Sequence, residues 1–151
     1  MPDAKEETIH ASAVLAGERA VLIRGVSGSG KSRLVLSLLS AENIETLPYT
    51  RLVSDDRVRL FAAHGRLIAS APRPLSGLIE ARGLGIRQMP YEQTAVIGLV
   101  VDLSCKDAAR MPEAITQMTE ILGINIPRLP VGTEQDPFPL VLTALTTKQK
   151  V

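Results

Sequence analysis

Gly25-Val26-Ser27-Gly28-Ser29-Gly30-Lys31-Ser32, the stretch GVSGSGKS, decides how the rest of this chain is read. It fits the pattern G-x-x-x-x-G-K-[ST], and both of its flanks suit that pattern. AVLIR, residues 20–24, is an apolar run of strand length, and Leu34, Leu38 and Leu39 follow at helical spacing. A strand, a glycine-rich turn and a helix N-terminus together make a phosphate cradle. Gly25, Gly28 and Gly30 can take backbone angles closed to other residues, and the unpaired N–H groups at the helix start face an anion. All eight residues are therefore expected to hold a nucleoside triphosphate, with Lys31 on its terminal phosphates and the Ser32 hydroxyl on Mg²⁺. A chance match in a chain of this length has odds of about one in two hundred.

The 151 residues suffice for one domain with its own core, read here as 1–151 with frayed ends at 1–8 and 146–151. A net charge of +1, two Tyr, two Phe and no Trp give neither the field nor the stacking surface of a nucleic-acid or membrane binder. Cys105 is the only cysteine, which excludes an internal disulfide framework and a cysteine-based zinc site. MPDAKEETIH lacks the apolar core of a signal peptide, and no run reaches membrane-spanning length. These features point to a cytoplasmic protein.

Outward from the loop, HASAVLAGERAVLIR reads as two strands joined at Gly17-Glu18, the second running into the loop. AENIETLPYT is an irregular connection, and RLVS is a short strand ending at Asp55-Asp56. VRLFAA and RLIASA, split by His64-Gly65, form a hairpin. TAVIGLVVDLS is long, apolar and β-branched, as a central strand should be. Pro112 and Gly123 bracket PEAITQMTEILG, which predicts a helix with Ile115, Met118 and Leu122 on one face. LVLTAL in the Pro-rich tail suits a strand or a helix. Several strands with few helices predict an α/β fold built on a mixed sheet around the phosphate loop, not a doubly wound one.

A phosphate loop needs a second metal-holding group and, for transfer to an acceptor, a base. Asp55 and Asp56 stand at the C-terminal end of a strand, the edge where ligands of such sheets collect. Taken alone, Asp-Asp-Arg is ordinary turn chemistry; beside the loop it reads as metal ligand and base. Asp102 in GLVVDLS is the rival acid, with four apolar residues before it. Glu80 and Arg82 alternate with apolar residues in LIEARGLGI, either as a same-face strand pair or as metal and phosphate groups.

Four blocks, IHASAV, GVSGSGKS, LVSDDRV and LIEARGLGI, stand in the order found in the C-terminal catalytic domain of HPr kinase/phosphorylase, and the chain resembles that family over residues 9–86. The resemblance implies a P-loop core related to phosphoenolpyruvate carboxykinase. It implies an ATP- and Mg²⁺-dependent kinase that phosphorylates a serine of HPr or an HPr-like carrier, often as a hexamer. His10 resembles the histidine that supports the catalytic aspartate, and Asp55-Asp56 the acidic pair that supplies the base, with either one open to that role. Glu80 resembles the metal-binding glutamate, and Arg82 belongs to the surrounding catalytic segment. The chain looks like a short form without the family's N-terminal domain. The family's Arg- and Gly-containing C-terminal segment is not recognisable in LPVGTEQDPFPLVL; Arg128 lies nearby, outside any matching motif. Two other functions fit the loop: a nucleotide-sensing module with little catalysis, and a small-molecule kinase.

Overall fold

The computed structural model describes residues 5–41, 47 and 49–148. The irregular connection expected over 41–50 falls largely outside them. The described residues form eleven strands and two helices: β1 (Glu6–Ile9), β2 (Ala11–Ala16), β3 (Arg19–Arg24), α1 (Lys31–Ser40), β4 (Thr50–Ser54), β5 (Val58–Ala63), β6 (Arg66–Ser70), β7 (Leu78–Ala81), β8 (Gly85–Gln88), β9 (Thr94–Asp102), β10 (Met118–Ile121), β11 (Ile124–Pro130) and α2 (Pro137–Thr146). Nine strands make one mixed sheet, ordered β1-β5-β6-β9-β3-β2-β4, with β11 added to β9 and β10 to β11; β7 and β8 form a separate hairpin. The mixed α/β architecture expected from the strand-rich sequence is the one observed.

β9 is the hub, as its composition predicts. It runs parallel to β3 and to β11 and antiparallel to β6. Strand alternation divides the core between the two faces of the sheet. Ala20 and Leu22 of β3 join Leu60, Leu67, Ile97 and Val100 on one face. Val21 and Ile23 meet Leu34, Val35 and Leu38 of α1 and Val141 of α2 on the other. The helices cover only that second face, and α1 lies there because its apolar stripe has the spacing to match.

Both expected two-residue turns are present. The β5–β6 hairpin closes through His64 (φ 53°) and Gly65 (φ 74°), the left-handed pair that a tight hairpin requires. Residues 6–8, expected to be frayed, instead form β1 and pair with Arg59, Leu60 and Phe61 of β5. Thr146, at the other expected loose end, closes α2.

The helix expected from Pro112 to Gly123 does not exist. A short 3-10 turn (Ala114–Gln117) leads into the β10–β11 hairpin, whose turn is Leu122 (φ 51°) and Gly123 (φ 82°). A glycine that ends a helix and one that closes a hairpin look alike in sequence. The deciding contacts are Ile121 and Ile126, buried in the all-strand core, while Ile115 is 82% exposed. LVLTAL resolves as helix: Asp136 caps α2 by accepting from the Phe138 N–H at 3.2 Å, and Pro137 occupies the first turn.

One glycine in β9 has a steric cause. The β3–β9 register shifts between Ala20 and Val21, which pair with Ile97 and Leu99, leaving Gly98 as the extra residue of a bulge. A Cβ on Gly98 would stand 2.7 Å from Arg19 Cβ, so the Arg19 stem lies where a side chain would be. Gly98→Ala should therefore cost about 1–3 kcal/mol, the usual penalty of overpacking. Urea denaturation would measure it; an unchanged midpoint would show that the bulge absorbs the methyl.

Candidate functional site

β3 delivers the chain into the loop at Gly25, and α1 leaves it at Lys31. Gly28 and Gly30 have φ of 83° and 99°, as a cradle lined by N–H groups needs. Gly25 is glycine for a different reason: a Cβ there would overlap Ser29 Oγ and lie 3.1 Å from Leu103 Cβ. No side chain caps α1, and its first turn holds no acid. Its leading N–H groups therefore face outward without a side-chain partner. Val26 and Ser27 form the exposed crest.

Lys31 is buried beneath that crest, with Nζ donating to Gly25 O at 2.8 Å and Val26 O at 3.1 Å. An ammonium has three N–H donors, so one is left for a phosphate oxygen. Ser29 Oγ is buried without a partner. A lysine with a spare donor, an orphaned hydroxyl and an uncapped helix start suit a bound phosphate chain.

The acidic pair follows directly after β4. Asp55 is buried and gathers three elements about one carboxylate. Ser12 of β2 donates to Oδ1 at 2.7 Å, Ser32 of α1 donates to Oδ1 and Oδ2 at 2.7 and 2.9 Å, and the Glu80 N–H of β7 reaches Oδ2 at 3.3 Å. None of these partners is cationic. A carboxylate taken from water without a counter-charge, touching the loop's own serine hydroxyl, is the donor set a hard divalent cation takes.

Asp56 behaves oppositely. Its φ of 71° turns the chain into the left-handed region, which Asp tolerates better than most residues. The carboxylate then points to solvent and meets His10 Nε2 at 2.8 Å, where both side chains are more than half exposed. The Ala11 N–H donates to Asp56 O at 3.2 Å and holds the bend against β2. Two neighbours in sequence thus sit in two environments, one sealed against the loop and one open.

Glu80 is brought to this cluster through its backbone; its side chain is exposed. Arg82 is not in a strand. It lies in the turn between β7 and β8, exposed, so the expected same-face pair with Glu80 does not form. No group of three His, Cys, Asp or Glu side chains able to hold a metal occurs among the described residues. Any metal would therefore take ligands from Ser32, one or two carboxylates and the bound phosphates.

Asp102, the rival acid, is already engaged. Arg24 grips both of its oxygens at 2.6 and 2.7 Å, and Arg128 Nε donates to Oδ2 at 2.5 Å. Burial pushes the Asp102 carboxyl up, but the hydrogen bonds and charges of the two arginines outweigh it and hold the carboxyl below its ordinary value. Arg128 also binds Asp107 and the Thr116 carbonyl, and its own pKa is raised, first by the Asp107 hydrogen bond. Burial and the charge of Asp102 raise the Cys105 thiol, which makes it a poor nucleophile.

Ser12 was not anticipated from the sequence. Its signal was there: a lone hydroxyl in the apolar strand ASAVLA, two residues after His10.

Comparison with known proteins identifies the family. The family model described as HPr Serine kinase C-terminal domain matches residues 3–147. The HPr kinase/phosphorylase of Geobacillus thermodenitrificans is 34% identical over 125 residues, covering 74% of this chain and 37% of that protein. That of Caldicellulosiruptor bescii is 32% identical over 133 residues, covering 81% and 40%. The structure of the Hpr(Ser) kinase/phosphatase from Coxiella burnetii superposes with a TM-score of 0.73 at 27% identity, covering 92% of this chain and 93% of that one. The chain belongs to the HPr serine kinase C-terminal domain family. It spans between about a quarter and two fifths of the length of such curated relatives, from 24% of the Lactobacillus acidophilus protein to the 40% above.

The Asp102 knot predicts an acid limb of stability. A carboxyl whose folded pKa is lowered contributes fully above its unfolded value of 3.8 and loses that contribution as pH falls through the folded one. Asp102→Asn should cost about 3 kcal/mol at pH 7, since it leaves Arg24 without its acidic partner and Arg128 with one of its two. The gap to wild type should narrow as pH drops below 3.8. Denaturant titrations from pH 7 to pH 2.5 would check this, and a gap constant with pH would refute it.

Proposed function

We propose that the chain is an ATP- and Mg²⁺-dependent protein-serine kinase acting on HPr or an HPr-like phosphotransferase-system carrier. The names of its relatives, the Coxiella protein among them, support that acceptor. The observation that carries the reading is the separation of Asp55 and Asp56 into a sealed and an open carboxylate, the first on Ser32 and the second on His10.

Each residue then has a defined task. The backbone of residues 25–32 cradles the phosphates, and Lys31 places one donor on the γ-phosphoryl end. Ser32 and Asp55, with Glu80 beside them, would hold Mg²⁺. When bound, the ion neutralises charge on the phosphates and orients them for in-line transfer. Asp56, open to solvent, accepts the proton of the incoming serine hydroxyl. His10 fixes the orientation of that carboxylate as a positioning residue. Arg82, exposed in the β7–β8 turn, would meet the acceptor or the phosphate it receives. In the reverse direction, inorganic phosphate would attack the phosphoserine phosphorus to form pyrophosphate. The serine O–P bond would break, and protonated Asp56 would give its proton to the departing serine oxygen. The relatives named kinase/phosphorylase favour that reversal. Assembly into a homo-oligomer, a hexamer by family habit, and a place in the cytoplasm complete the proposal.

Transfer from γ-labelled ATP to purified HPr tests it. Asp56→Asn should lower transfer by about 10²–10⁴-fold, the usual worth of a general base, with ATP affinity unchanged. Asp55→Asn should weaken Mg²⁺-dependent nucleotide binding itself. His10→Ala should shift the pH profile of transfer more than its plateau. Transfer surviving Asp56→Asn would move the base elsewhere, and binding without any transfer in wild type would make the chain a nucleotide sensor.

A further inference from the structure

At the end of β3 away from the phosphate loop, the sheet forks. β3 follows β9 on one side, whereas on the other β6 pairs with Thr94, Ala95 and Val96 and β11 pairs from Val100 onward. Ile97, Gly98 and Leu99 have no ladder partner on the fork side among the described residues. The diverging strands enclose a cleft of about 290 Å³, walled by the β5–β6 hairpin tip and by β11. Its polar side chains are Arg19, Arg66 and Asn125, and no carboxylate lines it.

Neither arginine has a hydrogen bond or ion pair among the described residues. This contrasts with Arg24, Arg59 and Arg128, each of which has an acidic partner. A guanidinium keeps its charge at every physiological pH and presents a planar fork of donors suited to oxyanions. Two of them line one cleft whose described lining holds no carboxylate, so an anion entering it would meet two positive charges. Arg19 is also seated: the bulge at Gly98 makes room for its stem, which lies where a Cβ of residue 98 would be. A mid-strand glycine that admits an arginine is a built feature of the cleft.

We propose that this fork cleft binds a small phosphate-bearing molecule, with Arg19 and Arg66 on the phosphate and Asn125 as an additional polar contact. Its volume lies at the lower limit of ligand pockets, which suits inorganic phosphate or a short phosphate monoester. The site is separate from the phosphate loop, about 17 Å away along β3, and does not depend on the kinase reading.

The test is a site-resolved ¹⁵N NMR titration of the intact chain at constant ionic strength. The probes are inorganic phosphate and glycerol 3-phosphate, with sodium chloride as control. Saturating shifts at the Arg19 and Arg66 Nε groups and the Gly98 amide are expected. Arg19→Gln and Arg66→Gln, both at exposed positions, should each weaken that binding at least fivefold while resonances of residues 25–32 titrate as in wild type. Tighter binding of the monoester would identify an organic ligand, and equal or weaker binding free phosphate. Shifts that match the chloride control, or that persist in the double variant, overturn the proposal.

Discussion

The carboxylate of Asp55 is the point through which this domain is organised. It is buried against three neutral donors from β2, α1 and β7, with no cation among the described residues to offset its desolvation. Such a group is held only if every donor around it is in place, because a missing hydrogen bond leaves a buried polar atom at a cost of about 1–3 kcal/mol. The strand that carries Ser12, the loop that carries Ser32 and the hairpin that carries Glu80 are thus fixed relative to one another by a single side chain. A polar constraint of this kind adds little net stability. Its effect is to specify geometry at the one place where the chemistry requires it.

The mixed sheet makes that convergence possible. β4 reaches the loop from the far side of β2, so Asp55 and Ser32 meet although 23 residues separate them. β3 and β9 supply parallel rails whose C-terminal ends carry the loop and Asp102. Helices cover only one face of the sheet, and the opposite face is closed by strands alone. The bulge at Gly98 and the fork beside it belong to the other end of the same rails, where the chain departs from regular pairing without disturbing the loop.

Much of this was legible in the sequence because it is local. The strand–loop–helix unit, the β2–β3 and β5–β6 hairpins and the central strand each carry their own periodicity or turn residues. Asp55 and Asp56 were legible as a pair but not as individuals. Their different environments arise from a left-handed bend at Asp56 and from contacts with Ser12 and His10, 43 and 46 residues away. The region 112–123 misled for the opposite reason. Pro112, Gly123 and apolar spacing are genuine helix signals, but burial of Ile121 and Ile126 against the sheet outweighs them. Propensity yields to tertiary packing wherever a short segment can add a strand to an existing edge.

The same long-range logic explains Arg128, which sequence placed near the family's C-terminal arginine without a matching motif. Its guanidinium is divided between Asp102 and Asp107, with further contacts to the Thr116 carbonyl and Cys105. An arginine so engaged has few donors left for a substrate, and releasing it would leave the buried Asp102 with one partner instead of two. Asp102 in turn lies in register with Arg24, the residue just before Gly25, and the Leu103 N–H donates to the Arg24 carbonyl at 2.9 Å. Arg128 therefore acts on the phosphate loop from behind, by bracing the strand end from which the loop springs. A residue can belong to an active site's architecture while its charge is spent entirely within the fold, and here the hydrogen-bond partners decide between the two roles where sequence position could not.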